Sequence, residues 1–400
     1  MLAMLALTMT LQMNPDDMIR QVDPKRLRAN VEKLASWHDR NTNNPTVDEA
    51  ADWMAAQYRA IPGLNVEVWH YPVKKGPRIK EDREVPEVIA TLPGATDRRV
   101  IIGGHIDTIN MSQAREDPSS QWTLPSPGAD DDASGACMAL EVARIMAQQK
   151  WSDTIVFVAF TGEEQGLFGS AALAKRAKEE GWKIDAVLSS DIIGSSKDQQ
   201  GFSDPHHIRL FSEELPSGAR DREGALLPPH NSRELARIIE FFTRDRLRDF
   251  SVKLVFRADR FGRGGDHTSF NRQGFSAVRF TEPYEDYTHE HTAEDLPKYM
   301  DWNYLANVTK INLLAMMQLA NAQQPPTEVR VATQQSHDAE LRWSGPVTQE
   351  YVVYWRQTTA PTWEFSKRVG PVTSTVIPKV SKDDCVFAVG AVGGVPVEAR

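Results

Sequence analysis

Histidine and acidic side chains stand at the ends of three apolar runs in this sequence. "GGHID" ends one run with His105 and Asp107, and "LSSD" ends another with Asp191. "AFTGEE" ends a third with two adjacent glutamates, Glu163 and Glu164. In α/β sheets, ligands bind outside the carboxyl ends of the strands. If these runs are neighbouring strands, we expect the five side chains to lie close together.

Two loops add further candidates. "PGADDDASG" places an aspartate trio, residues 130–132, just before a predicted helix, and "THEHTAED" contains His291. Imidazole and carboxylate groups without cysteine are typical of zinc, or a similar divalent ion, at a catalytic site. One cation could use four such groups, whereas a pair of cations needs a bridging carboxylate and terminal ligands for each ion. The set that would hold two ions, with Asp131 as the bridge, is His105, Asp131, Glu164, Asp191 and His291.

The adjacent glutamates need a reason, because neighbouring carboxylates repel each other and are costly to bury. If Glu164 binds a metal ion, the ion neutralises its charge. Glu163 is then free to accept a proton from a metal-bound water. Each position alone also has a simpler interpretation as a turn or helix-capping residue. Of the aspartate trio, we expect Asp132 to cap the following helix and Asp131 not to.

The pattern between residues 22 and 322 is typical of an α/β domain. Strand-like runs alternate with helical segments such as "ASGACMALEVARIMAQQ". "RVIIGG" and "TIVFVAF" are apolar throughout, which predicts central strands with helices on both faces. Further helices are predicted over about residues 232–248 and 301–322.

The character of the sequence changes after "QQPPTE". "EYVVYWRQT", "CVFAVGAV" and similar short strands are separated by Pro, Gly and Ser turns, which predicts a β-sandwich resembling fibronectin type III domains. We expect Trp343 and Trp355 to be buried in its core, and a surface platform stays open for Trp363. The predicted organisation is an N-terminal tail or signal remnant (1–20), the α/β domain (21–322), a linker (323–328) and the sandwich (329–400).

Composition limits the classes of partner and the compartment. The formal net charge of −9 argues against nucleic acid and anionic membranes, which leaves peptides or small molecules. "MLAMLALTMTLQMN" is too short to span a bilayer and lacks the basic start of a signal peptide, so a truncated signal and a packed segment both stay open. The two cysteines exclude a disulfide framework. We expect export to the periplasm or beyond, with the cytoplasm as the alternative.

Six stretches, in their order and spacing, closely resemble the co-catalytic di-zinc aminopeptidases, a family that also includes glutamate carboxypeptidases and glutaminyl cyclases. They are "GGHIDT", "PGADDDASGA", "AFTGEEQGLFGS", "LSSDIIG", "RGGDHTSF" and "HEHTAEDL". The resemblance covers about residues 22–322. It implies a zinc-exopeptidase fold, with a mixed, mostly parallel central sheet flanked by helices, and two Zn²⁺ ions as cofactors.

The resemblance also assigns roles to individual residues. It implies that His105, Glu164, Asp191 and His291 are terminal zinc ligands, that Asp131 bridges the ions, and that Glu163 is the general base. Asp107 matches a carboxylate that orients the His105 ring. Asp266 and His267 match a motif near the site without an assigned role.

The implied reaction is hydrolysis of the N-terminal peptide bond of peptide substrates, with a bridging water or hydroxide between the two zinc ions. A carboxypeptidase or dipeptidase would share this metal core and would need basic residues for the terminal carboxylate, for which Arg257 and Arg263 are candidates. A glutaminyl cyclase would use a single zinc ion. A receptor-like protein without catalysis would be expected to lack some ligands, and none of the five positions is substituted.

Overall fold

The computed structural model of the chain describes residues 13–213, 220, 226–258, 264–334 and 336–400. Most of the predicted tail or signal remnant, residues 1–12, lies outside the described residues, and so does Arg263. No helix in the described part of the chain has the length and apolar character of a membrane span.

The helices of the described residues follow one another along the first four fifths of the chain. They are α1 (Pro15–Ile19), α2 (Pro24–Leu34), α3 (Pro45–Arg59), α4 (Ser120–Thr123), α5 (Ala133–Met146), α6 (Glu163–Gly166), α7 (Phe168–Glu179), α8 (Ser232–Thr243), α9 (Asp266–Arg272) and α10 (Trp302–Leu319).

The strands divide between a large sheet and two small ones. The large sheet contains β1 (Asn65–Val73), β2 (Arg83–Leu92), β3 (Arg98–His105), β4 (Thr154–Phe160), β5 (Lys183–Ser190), β6 (His207–Phe211), β7 (Ser251–Val255) and β8 (Ala277–Thr281). The small sheets contain β9 (Thr327–Val331), β10 (Ala339–Ser344), β11 (Tyr351–Gln357), β12 (Phe365–Gly370), β13 (Ser374–Ile377), β14 (Cys385–Ala391) and β15 (Val397–Glu398).

The large sheet is mixed, with the order β1-β2-β4-β3-β5-β8-β6-β7 among the described residues. Its centre, β4-β3-β5-β8, is parallel, so the carboxyl ends of these strands share one edge. Alternate side chains of the apolar runs pack to opposite faces: Ile102 packs toward α2, α3, α5 and α10, and Ile101 packs toward α7 and α9. The predicted α/β fold is therefore confirmed.

The C-terminal region has two antiparallel sheets, β13-β10-β9 and β12-β11-β14-β15. Leu341 and Trp343 from one sheet and Val353 and Phe387 from the other share a buried cluster, which makes the pair a β-sandwich. Trp355 is half-buried beside this cluster.

Trp363 does not form a surface platform. Its side chain is fully buried, and with Tyr354 it joins the core of the α/β domain. Tyr354 meets Phe241 of α8 edge to face, and Arg244, directly after α8, donates a hydrogen bond to the Trp363 carbonyl at 3.1 Å. Burying this aromatic pair ties the sandwich to α8.

Residues 15–19 of the predicted tail form α1, whose Met18 is buried in the main core. One local prediction differs from the structure. Helix α8 ends at Thr243, five residues earlier than predicted, where Arg244 leaves the helical conformation with a ψ of 132°. The charged segment that follows has few apolar side chains to bury along a helical face, so the pattern no longer supports a helix.

Candidate metal centre

The parallel strands bring the predicted site residues to one edge of the sheet. His105 is the last residue of β3, and Asp191 directly follows β5. Glu163 and Glu164 follow β4 and open the short helix α6. The shared direction of β3, β4 and β5 places these distant stretches side by side.

Five of the predicted residues form two groups that could each hold a metal ion, and both groups contain Asp131. One consists of His105, Asp131 and Asp191, and the other of Asp131, Glu164 and His291; within each, the potential ligand atoms lie within 4.8 Å of one another. These five are the residues predicted as ligands.

The two carboxylate oxygens of Asp131 face different histidines. Asp131 Oδ1 lies 3.1 Å from His105 Nε2, and Asp131 Oδ2 lies 3.0 Å from His291 Nε2. The terminal carboxylates complete the groups, with Asp191 Oδ1 at 3.7 Å from His105 Nε2 and Glu164 Oε2 at 3.2 Å from His291 Nε2. Two ligand atoms on a tetrahedral zinc ion are about 3.3 Å apart, because each lies about 2 Å from the metal. The residues therefore fit two zinc ions that share Asp131.

Asp132, the residue after Asp131, holds the N-terminus of α5 in place. Its side chain caps α5 by accepting from the Gly135 N–H at 2.9 Å, as predicted, and it also accepts from the His105 N–H at 2.9 Å. A side chain at Gly104 would collide with the Gly135 backbone, since an added Cβ would lie 2.5 Å from the Gly135 carbonyl carbon. Gly104 therefore allows β3 to approach α5 closely, and Gly135, where an added Cβ would lie 2.1 Å from the Ser190 carbonyl oxygen, does the same for β5.

Asp295 holds the backbone of the bridging loop. Its carboxylate accepts from the N–H groups of Asp130 and Asp131 at 2.9 and 3.0 Å. The Asp295 side chain is buried and turned toward the metal centre. It therefore positions Asp131 through the main chain.

Asp107 connects the His105 strand to the two glutamates. Its Oδ1 and Oδ2 accept from the N–H groups of Glu163 and Glu164, both at 3.1 Å. The predicted contact between the Asp107 carboxylate and the His105 ring is longer, with Asp107 Oδ1 at 3.6 Å from His105 Nδ1. The backbone carbonyl oxygen of Asp107 is closer to Nδ1, at 3.1 Å. Asp107 therefore orients both the imidazole and the glutamate turn.

Burial and charge shift the ionisation of the centre strongly. Burial disfavours a charged imidazole, but it is outweighed at His105 by Asp131 and Asp191 and at His291 by Glu164 and Asp131, so the pKa of both histidines is raised well above the usual range. The contacts with these two histidines outweigh burial at Asp131 and lower its pKa. At Asp191, burial raises the pKa, but Arg279 and His105 reverse the effect and lower it.

Glu163 differs from the five candidate ligands. Its side chain is half-buried, and its carboxylate makes no hydrogen bond or ion pair with any described residue. Burial raises the pKa of Glu163 well above its usual range, and the nearby Asp191 and Glu164 carboxylates act in the same direction. A carboxylate that has no other bonding partner among the described residues, and whose pKa is raised, suits proton transfer near neutral pH.

Two further histidines and one predicted basic candidate lie apart from the two groups. His289 bonds to Asp286 at 2.9 Å and stacks on Tyr299, and His207 begins β6 beside Asp204. Arg257 is exposed.

The "GGDH" stretch does approach the centre. Asp266 is buried beside it, and burial raises its pKa to about 7. The neighbouring His267 is also buried, with Nε2 at 3.2 Å from Glu213 Oε1.

Sequence reasoning missed two buried arginines. Arg40 donates to four backbone carbonyls, at Leu34, Ile106, Pro127 and Gly128, and so links the His105 strand to the bridging loop. Arg279 Nη2 lies 3.1 Å from Asp191 Oδ2. The signal for Arg279 was a lone charge in the apolar run "SAVRF", since a charge on a buried strand needs a partner.

Comparison with known proteins agrees with this geometry. Residues 87–316 match peptidase family M28. A Pyricularia oryzae protein described as a "Probable zinc metalloprotease" is 38% identical over 411 aligned positions, covering 93% of this chain and 80% of that protein. The chain therefore belongs to peptidase family M28, which confirms the resemblance drawn from the motifs. At the level of enzyme class, these matches support a zinc metalloprotease.

Solved structures share the fold at lower identity. An aminopeptidase from Aneurinibacillus sp. strain AM-1 superposes with a TM-score of 0.56 at 17% identity, covering 78% of this chain and 97% of that one. A glutaminyl cyclase from Fimbriiglobus ruber gives 0.54 at 19% identity, covering 73% and 94%. The fold is thus common to peptidases and cyclases.

The pKa shifts predict how the metal-free protein responds to pH. The raised pKa values of His105 and His291 contribute stability at low pH that is lost as pH rises. Asp130 and Asp295, with pKa values raised to about 8 and about 7, keep protons that the unfolded chain has already released above about pH 4, so stability falls in the same direction. Chelator-treated protein should therefore lose several degrees of Tm between about pH 6 and about pH 8.

The control is the same protein with zinc restored. Because zinc binds deprotonated ligands, added zinc should raise Tm more at the higher pH. Differential scanning calorimetry measures both series. If the Tm of the metal-free protein rises over this pH range, the directions given for these pKa shifts are wrong.

Proposed function

We propose that this protein is an aminopeptidase that hydrolyses the N-terminal peptide bond of peptides with two zinc ions. The observation that carries the proposal is the position of Asp131, whose two oxygens each face a separate histidine and terminal carboxylate. One ion would be held by His105, Asp191 and Asp131, and the other by His291, Glu164 and Asp131. This arrangement is that of two-metal hydrolase sites.

Zinc bound there would polarise the scissile carbonyl and make a water molecule acidic enough to lose a proton near neutral pH. The protein's own part is to receive and deliver that proton. Glu163 is the candidate because its backbone is fixed by Asp107 while its carboxylate is not committed to another described residue. Its raised pKa would let it return the proton to the departing amine.

The charges next to the centre favour a substrate with a free amino terminus. A cavity of about 230 Å³ is lined by Asp130, Ile192 and Glu290, each of them the chain neighbour of a candidate ligand. The other charged side chains on its walls are acidic except for Lys197; the acidic ones are Asp198, Asp286 and Asp295. Even with Asp130 and Asp295 protonated, Asp198, Asp286 and Glu290 outnumber Lys197, so such walls attract an ammonium group and repel a carboxylate.

Among the residues that the structure describes, the carboxypeptidase alternative has less support. It requires a basic partner for the terminal carboxylate of the substrate. Arg279 is buried against Asp191, Arg257 is exposed, and Arg263 lies outside the described residues.

Substitution of Glu163 separates metal binding from proton transfer. Glu163→Gln should keep both zinc ions and lower kcat by at least about 100-fold, because the base is lost while the ligands remain. Asp131→Ala should lose zinc and activity together. Atomic emission on dialysed protein gives the zinc content, and a peptide hydrolysis assay gives kcat.

Glu179→Gln is the matched control, since Glu179 is an exposed glutamate of α7 and should leave both quantities unchanged. Activity of Glu163→Gln near that of the parent protein would show that the base is another residue. Removing zinc with a chelator should inactivate the parent protein, and zinc should restore it.

Blocked peptides test which end of the substrate is recognised. Peptides with an amidated C-terminus should be cleaved as fast as free ones, and N-acetylated peptides should not be cleaved, because acetylation removes the ammonium charge. Mass spectrometry of the products identifies the released residue. Cleavage of the N-acetylated series with loss of the C-terminal residue would favour the carboxypeptidase instead.

A further inference from the structure

Another cavity, here called the junction cavity, lies between the α/β domain and the sandwich and has a volume of about 1190 Å³. Its walls come from the start of α8, from the residues before β8, and from β9, β11 and β15 of the sandwich. Gly274 and Ser276 line it at the amino end of β8, whereas Asp191 lies beside Phe280 near the carboxyl end of that strand. The junction cavity is therefore at the opposite edge of the sheet from the metal centre.

Positive side chains predominate on the walls of the junction cavity. The charged ones are five arginines and three glutamates, namely Arg233, Arg237, Arg330, Arg356 and Arg400, with Glu234, Glu328 and Glu398. The whole chain, in contrast, has a formal net charge of −9. An excess of positive charge in a cleft with low-dielectric walls attracts anions.

Two of these arginines are buried, and each comes from a different domain. Arg237 of α8 and Arg356 of β11 are each 8% exposed. Arg237 Nε donates to the Pro361 carbonyl and Arg356 Nη1 to the Ala360 carbonyl, both at 2.9 Å. Because these acceptors are adjacent residues, the two guanidinium groups are held near each other. Burial lowers the pKa of Arg356, and repulsion from Arg237 lowers it further.

The buried Glu234 offsets only part of this charge. Its Oε1 forms an ion pair with Arg237, and its Oε2 has no hydrogen-bond partner among the described residues. Burial raises the pKa of Glu234 to about 7, so the side chain is only partly ionised near neutral pH. Arg356 Nε also has no hydrogen-bond partner within the described part of the chain. A buried donor without a partner is costly, and an oxyanion would satisfy it.

The first turn of α8 adds backbone donors on the same side. Asn231, the residue before this helix, makes no side-chain hydrogen bond to it and instead donates from Nδ2 to the Pro396 carbonyl at 3.0 Å. The first N–H groups of a helix lack partners within the helix, and the helix dipole favours negative charge there. The helix end and the two guanidinium groups therefore favour the same class of ligand.

We propose that the junction cavity binds an oxyanion, carried by a phosphate or a carboxylate group, between Arg237 and Arg356. The planar guanidinium fork matches both groups, and it stays charged at any pH at which the protein is folded. One bound oxyanion would accept hydrogen bonds from both domains and so join α8 to the sandwich. The volume is at the upper end of that of small-molecule sites, so the oxyanion can belong to a larger molecule. The inference does not depend on the proposed function.

Isothermal titration calorimetry of the zinc-loaded, full-length protein tests the inference. Inorganic phosphate and succinate are titrated in separate arms, with the ionic strength held constant by sodium chloride. At least one probe should bind with a dissociation constant below about 10 mM, because two charge-assisted contacts form at once. The tighter of the two probes identifies phosphate or carboxylate as the group that the cavity prefers.

Two substitutions should change the affinity in opposite directions. Arg356→Gln removes one guanidinium group and should weaken binding of the tighter probe by at least about tenfold. Glu234→Gln removes the competing carboxylate and should tighten it by about threefold or more. The second variant decides the question if Arg356→Gln does not fold, which its circular dichroism spectrum will show.

Arg244→Gln is the matched control. Arg244 lies at the other end of α8, about 15 Å along the helix from Glu234, where it pairs with Glu240 and bonds to the Trp363 carbonyl. Its loss disturbs the same domain junction without changing a wall of the cavity. The affinity for the probe should therefore equal that of the parent protein.

Three results would overturn the inference. The first is that neither probe binds with a dissociation constant below about 10 mM. The second is binding that the folded Arg356 and Glu234 variants leave unchanged, which would place the anion elsewhere, such as on zinc. The third is equal weakening in Arg244→Gln and Arg356→Gln, which would show that the stability of the junction controls binding. None of these results bears on the two-ion peptidase.

Discussion

Asp131 lies with its two carboxylate oxygens against two histidines, inside a buried region that also holds Asp107, Asp132, Glu164 and Asp191. So many carboxylates in one place repel each other, and their removal from water is costly unless positive charge is supplied. In the metal-free protein, carboxylate contacts raise the pKa of both histidines and burial raises that of Asp132, so proton uptake offsets part of this negative charge. Two cations at these positions would offset it directly.

The rest of the domain can be understood as the support that keeps this cluster in place. Asp295 holds the backbone of the bridging loop, Asp107 holds the glutamate turn, and Asp132 joins α5 to β3. Arg40 ties the loop before the aspartate trio to the end of β3. These contacts go to main-chain atoms, so the ligand side chains stay available to metal.

Much of this could be predicted from the sequence. The apolar runs of β3 and β4 indicated central strands, and polar residues at their ends indicated a site at one edge. The five residues that form the two groups are those expected as ligands. Local patterns suffice here because each motif combines a strand, its end and a turn within about ten residues.

Contacts between distant segments could not be read in this way. Arg40 bonds to carbonyls up to 88 positions away, and Arg279 meets Asp191 only because β8 lies next to β5. Trp363 is buried between the sandwich and α8, a surface that exists only after both have folded. The partners of Asp295 lie more than 160 residues earlier in the chain.

The central claim is that Asp131 bridges two metal ions, and anomalous diffraction from zinc-loaded crystals tests it most directly. Data collected on both sides of the zinc absorption edge should show two peaks, about 3.5–4 Å apart, one on each side of the Asp131 carboxylate. The first peak should contact His105 and Asp191, and the second His291 and Glu164. A single peak at full zinc loading, or two peaks held by other residues, would contradict the account.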